Sequence, residues 1–164
     1  MFAQTAHREF SDRVAPAQHR AADSQYTFTD RGHRAVATAY QAAYDRHCSH
    51  LGTAHLLLAL TVDETDPIVA LMLASAGVTS ADVRELVDGV IGCPAGRPRL
   101  AHVPQTPNLR NVLRHSQDTA LRVGQDDIDT THLACGVLAV PSTASEILSR
   151  CGLDLDRLHE HLHR

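Results

Sequence analysis

The end of the sequence contains the motif H-E-x-x-H, formed by His159, Glu160 and His163. Two histidines one helical turn apart can hold zinc, and the glutamate beside the first can act as a general base in hydrolysis. Such a centre also needs a third protein ligand, and this motif lies within the last six residues, where we expect no downstream ligand. We keep a zinc-dependent hydrolase as the alternative function and favour adventitious zinc or nickel binding over catalysis.

Two further histidines, His55 and His132, occupy the same place in two similar stretches, LGTAHLLLAL at 51–60 and IDTTHLACGV at 128–137. As a metal pair they would need converging ligands that the sequence does not supply. We expect instead that each imidazole makes local hydrogen bonds near the start of a helix. The run His-Cys-Ser-His at 47–50 could bind a soft metal, but the second stretch has no counterpart of it. The sequence therefore predicts no resident metal, no cofactor and no catalytic residue.

The similarity of these two stretches belongs to an internal repeat with an offset of 77 positions. Repeat one spans residues 27–92, a linker rich in proline spans 93–105, repeat two spans 106–164, and an arm at 1–26 precedes them. Two copies are too few for a solenoid, in which at least three units normally share a continuous core. We expect a closed pseudo-twofold pair. Equivalent residues include Thr29 and Thr106, Leu51 and Ile128, Thr53 and Thr130 and, after a deletion of two residues in the second copy, Gly77 and Gly152.

Each repeat has the capping residues and glycines that bound four helices, and no stretch of useful length alternates with the period of a strand. The predicted fold is all-α, with eight helices. In repeat one the predicted N-caps are Thr29, Thr53, Asp66 and Thr79 or Ser80, and in repeat two they are Thr106, Thr130, Ser142 and Asp154. Gly77, Gly92, Gly124 and Gly152 end helices. We expect no capping box at Ser142, because Ser145 stands where glutamate or glutamine is usual.

The composition is that of a soluble globular protein, with 43% hydrophobic residues and a formal net charge of -4 over 164 residues. No apolar run is long enough to cross a membrane, and we expect a cytoplasmic location. All 15 basic residues are arginine, which excludes Schiff-base chemistry on lysine and a P-loop. Because the arginines are dispersed among acidic residues, nucleic-acid binding has little support.

The order of these motifs resembles the N-terminal double repeat of the Clp unfoldases, most of all the ClpC type. The resemblance rests on FTDRGHRAV, LGTAHLLLAL and AGVTSADVRELVDGVIG in the first copy, and on TPNLRNVL, IDTTHLACGV and CGLDLDRLHEHL in the second. It covers residues 28–163 and implies two pseudo-symmetric halves of four helices. It also implies a non-catalytic module that receives substrates, adaptors or cyclic peptides for an ATPase ring.

The sequence departs from this family in two ways. No G-x-x-x-x-G-K-[ST] occurs, so we expect a module without its own ATPase that acts as an adaptor, a regulator or a decoy. We also expect a monomer. The family's central G-T-E-H motif also uses its glutamate to hold phosphoarginine, and Ala54 and Thr131 stand there instead. The resemblance implies that these repeat centres lack the carboxylate, although their helix N-termini could still attract an anion. The repeat centres comprise Thr53, Ala54 and His55, and Thr130, Thr131 and His132.

The resemblance implies a second ligand surface, a groove formed by the first helix of each repeat and the linker. We call it the inter-repeat groove. Gln105 replaces a common aromatic residue there and Arg114 replaces a common acid, which implies a preference for acidic ligands. The groove residues are Phe28, Arg31, His33, Val36, His102, Gln105, Arg110 and Arg114.

Overall fold

A computed structural model describes residues 25–63, 65–92 and 102–162, apart from the side chains of 161 and 162. Most of the predicted arm, linker residues 93–101 and His163 of the H-E-x-x-H motif lie outside these ranges.

The described residues form eight α-helices and no extended strand, which confirms the predicted fold class. We number them α1 to α8, and the most extensive contacts join α1 to α2 and α5 to α6. The helices are α1 Asp30–Asp45, α2 Thr53–Leu60, α3 Pro67–Ala76, α4 Ser80–Ile91, α5 Pro107–Arg122, α6 Thr130–Ala139, α7 Thr143–Arg150 and α8 Leu155–Leu162.

Most helix boundaries follow the capping residues that the sequence offers. Thr29 and Thr106 open α1 and α5, and their hydroxyls accept hydrogen bonds from Gly32 N–H at 3.1 Å and Leu109 N–H at 3.2 Å. Positive φ angles, which favour glycine, occur at Gly77, Gly124 and Gly152. These starts and stops agree with the predicted ones.

Two predicted N-caps are wrong by one residue, because α2 and α6 are capped by Gly52 and Asp129, and Thr53 and Thr130 are the first residues of these helices. The imidazole of His55 accepts the Gly52 N–H at Nδ1 over 3.1 Å, and His132 accepts the Asp129 N–H over 2.9 Å. Histidine thus takes the part that glutamate or glutamine plays in a capping box. The prediction of local hydrogen bonds for both histidines is confirmed.

The start of α7 also differs from expectation. The Ser145 hydroxyl accepts the Ser142 N–H at 2.8 Å, so half of a capping box forms with serine in place of an acid. The Ser142 hydroxyl has no hydrogen-bond partner within the described ranges. A hydroxyl of the opposite repeat takes over the role of the N-cap side chain: Thr53 Oγ1 accepts the Ala144 N–H of the first turn at 3.2 Å.

The two repeats interlock through a pair of equivalent parallel bridges, Phe28 with Ile128 and Leu51 with Gln105. In the first bridge Thr29 N–H donates to the Ile128 carbonyl at 3.1 Å, and in the second Thr106 N–H donates to the Leu51 carbonyl at 2.9 Å. Each repeat therefore pairs its opening segment with the centre of the other repeat. This exchange gives the predicted pseudo-twofold pair a single core, whose large, fully buried side chains come from both repeats, including Tyr40, Leu51, Leu57, Leu113, Ile128 and Leu133.

Two glycines allow close approach between backbone segments. A Cβ on Gly32 would overlap the carbonyl oxygen of Ile128, the same oxygen that accepts the Thr29 N–H. A Cβ on Gly136 would lie 2.7 Å from the carbonyl oxygen of Val112. Each contact is closer than a side chain tolerates, so both positions require glycine for packing.

Candidate ligand-binding site

Five of the six repeat-centre residues are buried and serve the fold. Thr53 receives the Ala144 N–H, and the Thr130 hydroxyl donates to Asp66 Oδ2 at 2.6 Å across the repeat boundary. Ala54 is only 4% exposed, whereas Thr131 faces solvent. The repeat centres therefore serve mainly to hydrogen-bond the two repeats to each other.

The two repeat-centre histidines are neutral at pH 7. Burial is the main cause that lowers the pKa of His55 to about 4, the Arg46 charge lowers it further, and the backbone hydrogen bond with Gly52 opposes the shift. Burial also lowers the pKa of His132, against the opposing Asp129 charge. A neutral ring keeps Nδ1 free to accept the backbone N–H, so protonation would break the cap.

The N-termini of the two repeat-centre helices, α2 and α6, differ in the charge that they would present to an anion. Asp129 stands at the N-cap of α6, and its Oδ1 accepts the Thr29 hydroxyl at 2.7 Å. This carboxylate already occupies the positive end of the helix dipole and would repel a second anion. The N-cap of α2 is Gly52, which adds no charge.

Most of the residues predicted to line the inter-repeat groove lie at the surface, and one does not. Val36 is 3% exposed and belongs to the core, because the inward face of α1 carries it, so we withdraw it as a ligand contact. Arg31, His33, His102, Arg110 and Arg114 are exposed, while Phe28 and Gln105 are half-buried.

Hydrogen bonds join several of the predicted groove residues around Gln105. Its Nε2 donates to the Tyr40 hydroxyl of α1 at 3.0 Å, and Arg110 Nη1 donates to its carbonyl at 3.0 Å. Arg114, one turn further along α5, donates to Asn111 Oδ1 at 3.2 Å. The repeat junction thus holds a glutamine and two guanidinium groups in place, and a peptide carboxylate or carbonyl can accept from their N–H groups.

A cleft of about 340 Å³ lies beside α1 and was not predicted from the sequence. We call it the repeat-one cleft. It is lined by two exposed arginines, two aspartates and apolar residues of repeat one, and by Thr130 of repeat two. Arg31 and Thr130 are the two lining residues that were predicted from the sequence as site residues. The signal that was missed is the loss of repeat symmetry at Arg34, since the equivalent residue is Asn111. Its lining residues are Arg31, Arg34, Ala35, Thr38, Ala59, Leu60, Val62, Asp63, Asp66 and Thr130.

Of the H-E-x-x-H motif, His159 is half-buried and Glu160 is exposed. His159 and Glu160 lie on α8, and no cluster of three histidine, cysteine or acidic side chains suited to a metal occurs in the part of the chain that the structure describes. Burial raises the pKa of the Cys135 thiol, and burial followed by the Asp82 charge raises that of Cys151. These two thiols stay protonated at neutral pH. None of the described helices is long and apolar enough to cross a membrane.

Comparison with known proteins gives matches to one family. A sequence profile of the Clp repeat (R) N-terminal domain matches residues 27–114 and 104–164. Over 136 residues, 82% of this chain, the sequence is 28% identical to the chaperone protein ClpB of Oceanobacillus iheyensis. It is 27% identical over the same length to the negative regulator of genetic competence ClpC/MecB of Bacillus subtilis. The match spans only 16% of either relative.

Solved structures agree on the fold. The N-terminal domain of ClpD from Arabidopsis thaliana superposes with a TM-score of 0.64 and 21% identity, covering 82% of this chain and 91% of that one. A ClpV N-domain in complex with a VipB peptide also superposes with a TM-score of 0.64, with 16% identity and coverage of 90% and 88%. With both repeats matched by the profile, the chain belongs to the family of Clp repeat (R) N-terminal domains.

Proposed function

We propose that this domain is a non-catalytic module that binds exposed peptide segments of proteins that the Clp machinery handles. The observation that carries the proposal is the arrangement of Gln105, Arg110 and Arg114 at the junction of the two repeats, where hydrogen bonds to Tyr40 and Asn111 order the donors. Ordered donors at a surface lose less conformational entropy on binding than mobile ones. The ClpV N-domain solved with a VipB peptide supports peptide binding by this fold.

The partners that we propose are clients, adaptors or the ATPase subunits themselves, with cyclic peptides as small ligands of the inter-repeat groove. Two roles follow from the same chemistry. An adaptor or regulator would contact the ATPase and a client together, whereas a decoy would bind the client segment alone. Recovery of the ATPase in a pull-down that is insensitive to groove substitutions favours the adaptor role, and client binding without the ATPase favours the decoy role.

Phosphoarginine is a poor candidate ligand for the repeat centres. A guanidinium group is best held by a carboxylate through paired charge-assisted hydrogen bonds. Ala54 supplies only a buried methyl group, and Thr131 supplies only a hydroxyl. At the second centre the Asp129 carboxylate is engaged by Thr29 and would repel the phosphate. We therefore place peptide binding in the groove and the repeat-one cleft.

The test uses reduced, carboxymethylated lactalbumin, a permanently unfolded protein, labelled with fluorescein. We expect saturable binding by fluorescence anisotropy, weakened about tenfold in the Arg110→His/Arg114→Ala variant because two charge-assisted contacts are lost. This variant copies His33 and Ala37 of repeat one, so the helix should keep its fold. Absence of saturable binding by the wild-type domain would contradict the proposed function. Stoichiometric zinc, with peptide hydrolysis abolished by Glu160→Gln, would favour the hydrolase instead.

A further inference from the structure

We propose that the repeat-one cleft is a docking site for an extended segment that carries one acidic side chain beside an apolar one. This inference rests on the proposed peptide-binding function and names the ligand class of a site outside the predicted groove. Four observations support it: the two arginines at the rim, the internal pairing of the aspartates, the exposed apolar floor and the loss of repeat symmetry.

The arginines offer unused donors to a ligand. Arg31 and Arg34 lie one turn apart on α1, and both are exposed. Arg34 donates through Nε to the Asp30 carbonyl at 3.3 Å, and Arg31 Nη1 forms an ion pair with Asp66 Oδ2 at 3.7 Å, which is too long for a hydrogen bond. Among the described residues, neither guanidinium donates a hydrogen bond to a side chain. Their remaining N–H groups can hold a ligand carboxylate with charge-assisted bonds.

The aspartates of the cleft are engaged by the protein itself. Asp66 accepts the Ile68 N–H at 2.9 Å through Oδ1 and the Thr130 hydroxyl at 2.6 Å through Oδ2. Asp63 accepts both the N–H and the hydroxyl of Thr65, at 3.1 and 2.6 Å, through Oδ1. The Asp63 charge on the rim would still repel a run of acids. The cleft therefore fits a single acidic side chain.

The floor of the cleft accounts for the apolar part of the ligand. Val62 is 56% exposed, one of four large hydrophobic side chains at the surface of the described residues, and it adjoins the buried Ala59 and Leu60. Covering a valine from water is favourable in proportion to the apolar surface removed. An aliphatic side chain next to the acid would supply that cover.

The internal repeat shows that the fold does not require these residues. The positions equivalent to Arg31 and Arg34 hold Asn108 and Asn111, and those equivalent to Val62 and Asp63 hold Ala139 and Val140. Both repeats nevertheless form the same four helices. The arginines and the exposed valine that repeat one carries at these positions are therefore better explained by a ligand than by folding.

The test compares three fluorescein-labelled peptides that differ at one position, Ser-Gly-Xaa-Leu-Gly-Ser with Glu, Gln or Lys at Xaa. We expect the Glu peptide to bind about tenfold more tightly than the Gln peptide, and the Lys peptide to bind most weakly. We also expect this preference to fall with added NaCl, because exposed charge pairs are screened. The Arg31→Asn/Arg34→Asn variant, which copies repeat two, should abolish the preference.

The matched control is Arg84→Asn/Arg122→Asn, which removes the same charge from other exposed positions and should keep the preference. Equal binding of the Glu and Gln peptides, or a preference that survives Arg31→Asn/Arg34→Asn, would overturn the inference. So would failure of all three peptides while unfolded lactalbumin still binds, and the proposed function would then stand. If lactalbumin also failed to bind, the result would contradict both this inference and the proposed function.

Discussion

Replacing Gly32 with alanine should lower the free energy of unfolding by about 3 kcal/mol, because the new methyl group overlaps backbone and the overlap cannot be relieved by a side-chain rotation. The oxygen that it meets belongs to Ile128 and also accepts the Thr29 N–H at 3.1 Å. Relief would move α1 away from repeat two and lengthen this hydrogen bond, which adds to the cost. The change therefore acts on the contact that joins the two repeats.

Urea unfolding followed by circular dichroism at 222 nm measures this effect, with Gly89→Ala as the matched control. Gly89 lies in α4, and a methyl group there would meet no other atom within 4 Å, so alanine should raise stability by about 0.5–1 kcal/mol. Equal stability of the Gly32→Ala and wild-type proteins would show that the opening segment of repeat one does not hold this position in solution.

Acidification should destabilise the domain through His55. Its pKa falls from 6.5 in the unfolded chain to about 4 in the folded domain, so between these values the unfolded chain binds a proton that the folded chain does not. The stability that neutral His55 contributes is therefore fully present above pH 6.5 and is lost as the pH falls towards 4. The contribution between pH 7.5 and 5.0 is roughly 2 kcal/mol, and His132 acts in the same direction.

Urea unfolding at pH 7.5 and 5.0 measures this loss in the wild type and in His55→Gln. Glutamine can still accept the Gly52 N–H, as in a capping box, but it does not titrate. We expect the variant to lose roughly 2 kcal/mol less than the wild type over this pH range. An identical pH dependence in both proteins would show that His55 is not buried as a neutral cap.

The sequence predicted the helices well because their boundaries depend on local chemistry. Threonine or aspartate caps and left-handed glycines act within one turn, as at Thr29, Asp66 and Gly77. The caps of α2 and α6 were misassigned because a threonine beside a glycine or aspartate is an equally good candidate, and the choice depends on the His55 and His132 rings. Only the tertiary structure shows that Thr53 and Thr130 bond across the repeat boundary.

The candidate sites were less predictable because they combine residues far apart in the chain. The repeat-one cleft brings Arg31 and Val62 of one repeat to Thr130 of the other, and no spacing rule connects these positions. Val36 was misplaced because one turn of α1 carries both an inward and an outward face, and resemblance alone did not separate them. The repeat offset, in contrast, correctly paired Leu51 with Ile128, and these two residues take equivalent places in the bridges between the repeats.

We propose that this Clp-family domain binds peptide segments at its surface and does not recognise phosphoarginine at its repeat centres. Calorimetric titration with free phosphoarginine, beside phosphoserine as the control anion, tests it most directly. We predict no saturable heat specific to phosphoarginine, because neither Ala54 nor Thr131 supplies a carboxylate. Saturable binding of phosphoarginine at two sites per chain, absent with phosphoserine, would contradict the claim and make the repeat centres degron receptors.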